Sequence, residues 1–197
     1  MRAPHVARSN ASTLFISAKT STAIPAASDL VRHSLVQASL EPSVRRIDFH
    51  AQALVYAAHV DVNAIGIVRD DGRFWLDVVE ARLPRDVQHE KLASVAFAAL
   101  GMTPLILTAE EIRRQPRFAN ANLVWSYRLA PVGITMRMAV LQILSDDGPM
   151  PLSRLLSSVR SDRDPTPAVL AMACSDLIEI DLVSRPLGPE TIVRARA

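Results

Sequence analysis

The sequence predicts a mixed α/β protein with a small helical unit behind it. Three observations carry this. An amphipathic helical stripe leads into β-rich runs joined by Asp71-Gly72, a second helical segment leads into a short apolar strand, and beyond Leu129-Ala130-Pro131-Val132-Gly133 the pattern changes to short helices.

Taken in order, Leu30, Val31, Leu35, Val36 and Leu40 form one stripe over Asp29 to Leu40, and Pro42 ends that helix. Val44 to Tyr56 alternates as extended chain. Val60 to Val68 and Phe74 to Val79 form a hairpin, because Asp-Gly tolerates the positive φ of a tight turn. Pro84 and Asp86 open a helix that carries Val87, Leu92, Val95, Ala96, Ala99 and Leu100, with Gly101 at its C-terminal cap. The run Pro104 to Leu107 is almost wholly apolar, which predicts a strand covered on both faces and a parallel crossover. Thr108-x-x-Glu111 is a capping box for a short helix ending before Pro116. A further helix spans about Ala119 to Arg128, burying Leu123, Val124 and Tyr127.

Past the break, Thr135 to Leu144 has Met138, Leu141 and Ile143 at helical spacing. Pro151 to Val159 and Pro167 to Leu177 supply two more helices. Ile178 to Val183 and Thr191 to Arg194 read as a two-stranded ribbon. Three helices and a ribbon predict a winged helix-turn-helix. The expected organisation is a flexible basic arm over residues 1–26, an α/β domain over 27–130 and the winged unit over 134–197.

Composition narrows the function classes. No apolar run is long enough to span a bilayer, and the lone Cys174 excludes an internal disulfide; both fit a reducing, cytoplasmic setting. The formal charge is only +2, yet Lys19 and Lys91 are the only lysines, so the positive charge is almost all arginine. Arginine suits bidentate phosphate contacts, although arginine-favouring codon usage gives the same bias. The segment before Asp29, the first acid, carries Arg2, Arg8 and Lys19, as expected of an arm lying on nucleic acid.

The order helix, three-stranded meander, crossover helix and fourth strand resembles the restriction-endonuclease-like αβββαβ core of PD-(D/E)XK nucleases. Phe15-Ile16-Ser17-Ala18-Lys19, Leu40-Glu41-Pro42-Ser43-Val44 and Leu107 to Arg113 resemble, more specifically, stretches of TnsA-type transposase endonucleases, over about Phe15 to Arg128. The resemblance implies helix glutamates at Ala27 and Val31, a catalytic aspartate at Asp61, and a Gln-or-Glu-x-Lys pair at Asp77-Val78-Val79. In the fold it implies, carboxylates on adjacent strands hold Mg²⁺, and the lysine helps activate water and offsets charge on the phosphate. Ala27, Val31 and Val79 cannot fill these roles, so the site reads as degenerate, with Asp61 and Asp77 as the remaining metal candidates. Losing one such electrostatic group costs about a hundredfold to a thousandfold in rate. Glu80-Ala81-Arg82 repeats the acid-x-base spacing one register along, on the opposite strand face. Lys91 is a weak candidate for a migrated lysine.

For the winged unit, the helix from Pro167 to Leu177 has no lysine or arginine, and Asp176 near its end would repel phosphate. Arg154, Arg160, Arg163, Arg185, Arg194 and Arg196 are expected to form a phosphate-binding rim around it. Three functions remain open: a non-catalytic DNA-associated protein needing no cofactor, a Mg²⁺-dependent endonuclease with a rearranged site, or an adaptor that docks a transposase-like partner through the apolar third helix. A homo-oligomer is compatible with each, and a membrane partner with none.

Overall fold

The computed structural model of the chain describes residues 13–55, 58–81 and 87–196. Helix α1 (Asp29–Leu40) starts at an extended Ser28, whose side chain accepts a hydrogen bond from the Val31 amide at 3.3 Å. That bond satisfies one of the amides left unpaired at a helix start. The stripe read from the sequence buries Leu35 and Val36, each contributing about 1.5–3 kcal/mol by leaving water.

Strands β1 (Thr13–Phe15) and β2 (Ile24–Ala26) pair antiparallel ahead of α1. Phe15 and Ile24 are fully buried, and the Ile47 amide donates to the Lys19 carbonyl at 2.9 Å. The expected flexible arm over 1–26 is therefore corrected for residues 13–26: alternate apolar side chains there are long enough to reach the core. Residues 1–12 lie outside the described residues.

Strands β3 (Val44–Val55), β4 (Ala58–Arg69), β5 (Gly72–Val78) and β6 (Thr103–Leu107) form one sheet in the order β3-β4-β5-β6. The first two pairings are antiparallel and the last is parallel. Gly72 closes the predicted hairpin at φ +154°, which side chains disfavour. Helix α2 (Val87–Ala99) returns the chain from β5 to β6, and Gly101 takes the left-handed φ of +64° at its end. One sheet face buries Ile65, Ile67, Leu76 and Val78 with α1; the other buries Ala64 and Val62 against Ala93, Ala96 and Phe97 of α2. The result is a helix–sheet–helix sandwich. Strand β6 is not covered on both faces as its apolar sequence predicts: Leu105 and Leu107 pack against the core, but Ile106, on the opposite face, is 52% exposed.

Helix α3 (Ala109–Ile112) begins with both bonds of the capping box. Helix α4 (Arg117–Ser126) buries Asn120, Ala121, Val124 and Trp125 but leaves the expected core residue Leu123 exposed. Helix α5 (Ile134–Asp147) buries Val140 and Leu144 fully, packs the expected Leu141 and Ile143 half-buried against the core and leaves Met138 exposed. Next come β7 (Met150–Pro151), α6 (Leu152–Ser158), α7 (Thr166–Cys174), β8 (Ile178–Ile180) and β9 (Ile192–Ala195). The expected two-stranded ribbon has a third member, in the order β7-β9-β8, because β7 pairs Met150 with Val193.

Residues from both sides of the 129–133 stretch enter one hydrophobic cluster, from Phe15 and Leu35 to Met172 and Val193. Asn120 holds the two sides together. Its amide donates to the carbonyls of Leu182 (2.9 Å) and Arg185 (2.8 Å) and accepts from the Leu187 amide at 2.8 Å. Asn120→Ala leaves these backbone groups without partners and is expected to lower stability by about 2 kcal/mol, read as a reduced midpoint in urea.

Candidate functional site

The residues singled out by the nuclease resemblance converge only in part. A cavity of about 390 Å³ between α1, the sheet and α2 is lined by Ala27, Val31, Asn63, Asp77 and Ser94, with apolar walls that include Phe49 and Ile106. Val31 reaches it from the first turn of α1, and Ala27 from the extended chain just before the helix. Asp77 lies next to last in β5, opposite Ile106 of β6, and is buried at 8% exposure.

Asp61 does not join them. Between the pairs His50–Ala64 and Gln52–Asp61, β4 carries one residue more than β3, and Asn63 takes the left-handed φ of +43°. This bulge shifts which residues of β4 face the cavity, so the position that the resemblance implies for Asp61 is not realised. Continuing the Gly66–Trp75 register brings Asp77 level with Ala64, three residues short of Asp61, a separation of about 10 Å along the strand. Asn63 lines the cavity instead, while Asp61 is exposed and accepts from Gln52 Nε2 at 2.7 Å.

The expected lysine position also leaves the sheet, because Val79–Ala81 forms a 3₁₀ turn. Within that turn Glu80 accepts the Ala109 amide at 2.9 Å and so anchors the start of α3. Arg82 lies outside the described residues. From α2 the cavity takes Ala93, Ser94 and Phe97, and Lys91 stands exposed beyond them. The described lining thus offers one carboxylate, one carboxamide and one hydroxyl. A pair of Mg²⁺ ions needs several anionic oxygens to offset their charge, so this donor set does not fit them. Among the described residues no three His, Cys, Asp or Glu side chains come together as metal ligands, and Asp61 and Asp77 are corrected as a shared metal site.

The groove-reading helix of the expected winged unit is corrected too. Every residue of α7 from Val169 to Cys174 is buried, covered by α1, α4 and α5. The body of the helix therefore presents no face to a DNA groove or to a partner, and only its first turn, Thr166 to Ala168, is half-buried. Burial pushes the Cys174 thiol up to about 12, and its Sγ donates to the Val124 carbonyl at 3.3 Å.

The six expected DNA-binding arginines divide. Arg160, Arg163 and Arg185 are exposed and form no ion pair with a described carboxylate. Arg154 is exposed with Asp147 at 3.6 Å, and Arg194 pairs with Glu179. Arg196 is corrected from the rim to the interior: its side chain is 12% exposed, meets Glu179 at 2.9 Å and Asp176 at 3.3 Å, and donates to the Pro42 and Val44 carbonyls. Lys19 completes this cluster, with Nζ 3.2 Å from Asp176 and 2.7 Å from the Glu41 carbonyl. Burial lowers the Lys19 pKa, although Asp176 opposes the shift. Asp176, expected to repel phosphate, is thus neutralised within the fold.

No protein-family profile matches the chain, and neither does any curated protein sequence. Sequence reasoning missed Asn63 and Ser94 in the cavity and the Lys19–Asp176–Arg196 cluster. A signal for the buried α7 was present: Pro167 to Cys174 has no polar residue except its final thiol, and a helix that is apolar all round is covered all round.

Proposed function

We propose that this chain is a non-catalytic DNA-associated protein, in which a restriction-endonuclease-like core of degenerate TnsA type is fused to a winged helix-turn-helix. The observation that carries this reading is that the described lining of the Ala27–Val31–Asp77 cavity offers one carboxylate, since phosphodiester hydrolysis by such a core needs a metal-binding set of acids and a base. The sheet order β3-β4-β5-β6 and the grouping of α5, α6 and α7 with β7-β9-β8 support the two fold assignments. With the body of α7 covered and no lysine or arginine in the helix, contact with DNA runs mainly through phosphate. Arg160 and Arg163 precede α7, and Arg185 lies between β8 and β9; these guanidiniums supply that contact. A role in mobile-element processing beside a transposase-like protein, in a reducing cytoplasm, is part of the reading.

Affinity for duplex DNA should then fall steeply with salt. Each phosphate contact contributes about 0.9 to the slope of log K against log salt, so the Arg160, Arg163 and Arg185 triple alanine variant should flatten it by about 2–3. Fluorescence anisotropy over a salt series checks this. Equal slopes for both proteins, or binding insensitive to salt, would remove the phosphate-led interface.

A further inference from the structure

Leu129 (83% exposed), Ile16 (66%) and Leu14 (64%) are among the most exposed large apolar side chains of the described residues, and all three surround one cleft of about 560 Å³. Exposed apolar side chains are ordinary when scattered and informative when they adjoin. The floor here is aromatic: Phe15 stacks on Trp125 with ring centres 5.2 Å apart, and the Arg128 guanidinium lies 5.7 Å from the Trp125 ring. The buried Trp125 Nε1 has no acceptor among the described residues.

The charge of this cleft is unbalanced. Arg32 and Arg128 line it, no aspartate or glutamate does, and neither arginine pairs with a described carboxylate. The cleft at the α1–α4 seam differs, because its Arg117 meets Glu41 at 3.0 Å. One wall is also a strand edge: β1 has β2 on one side and no described strand on the other.

We propose that this cleft is a docking site for an extended segment of a partner protein that carries apolar side chains beside an acidic one. The segment lies along the free edge of β1. Its apolar side chains cover Leu14, Ile16 and Leu129, and its carboxylate meets Arg32 and Arg128, a pairing that direct main-chain bonds to β1 would reinforce. Other occupants fit less well. A second copy of the chain would oppose arginine to arginine across a twofold axis, residues 1–12 bring Arg2 and Arg8 to a cationic cleft, and a DNA backbone leaves the three apolar side chains in water. The site is independent of the nuclease-like cavity and of the phosphate contacts proposed above.

Selection of phage-displayed random dodecapeptides on the full chain tests this, followed by anisotropy with the enriched peptides. Enriched sequences should combine acidic and apolar residues. Arg128→Glu and Leu129→Ser should each weaken their binding by about tenfold or more, as expected for central contacts of a small interface, while Arg137→Glu on α5 leaves it unchanged. Leu129 is mostly in solvent, so its variant should keep the wild-type melting curve, to be checked by circular dichroism. No enrichment, enrichment of cationic peptides, or equal binding to all variants would overturn the proposal. So would displacement of the peptides by duplex DNA, or sedimentation showing a dimer that Leu129→Ser dissolves.

Discussion

Replacing Phe15 with alanine is expected to lower the free energy of unfolding by about 3–5 kcal/mol, the cost of emptying a buried aromatic site. Phe15 belongs to a segment whose composition reads as an arm, yet it is 1% exposed and stacks on Trp125 of α4. Its removal opens a void between β1 and α4 that the stiff indole cannot fill. Urea unfolding followed by tryptophan fluorescence checks the value. A loss below about 1 kcal/mol, the level of an exposed substitution, would mean that β1 is not part of the cooperative core.

Arg196→Met should cost about 3 kcal/mol, because removing one member of a buried ion cluster leaves its partners uncompensated. Arg194 still faces Glu179 and Lys19 still faces Asp176, which keeps the loss at the lower end for such changes. Arg196→Lys, which retains charge but not the forked geometry that serves two acids and two carbonyls, should fall between. The cluster also sets a pH dependence. Burial raises the Glu179 pKa, but hydrogen bonds from Arg194 and Arg196 outweigh it and hold the carboxyl below its ordinary value. With a folded pKa below the unfolded one, the stabilisation is fully present above about pH 4.3, the unfolded glutamate value, and is lost as pH falls through the folded value. Wild-type stability should drop over that acidic range more steeply than that of Arg196→Met, measured as urea midpoints at successive pH.

Local chemistry made much of the fold legible. Pro42 after an apolar stripe, Asp71-Gly72 between two β-rich runs and the Thr108–Glu111 capping box each act within a few residues, and each element stands where its signal lies. The candidate site was less legible because it depends on register and long-range packing. The resemblance implies Asp61 as a site residue, but with one extra residue at the Asn63 bulge it is Asn63 that lines the cavity, and Asp61 lies outside it. Arg194 and Arg196 look alike in sequence; packing of β9 leaves one largely in solvent and draws the other between Glu179 and the carbonyls of the α1–β3 turn. Similarly, Leu105 and Ile106 are equally apolar but point to opposite faces of β6, and packing decides that Leu105 lies against the main core while Ile106 stays exposed.

Incubation of supercoiled plasmid with the full chain in Mg²⁺ and then Mn²⁺, comparing wild type with Asp77→Asn and Asp61→Ala, tests the central reading most directly. The expected result is no nicking or linearisation above a protein-free control for any of the three, since Ala27, Val31 and Val79 supply neither the acids nor the base that cleavage needs. Metal-dependent cleavage by the wild type that Asp77→Asn abolishes would contradict it, and would make the α1–sheet–α2 cavity a working nuclease centre.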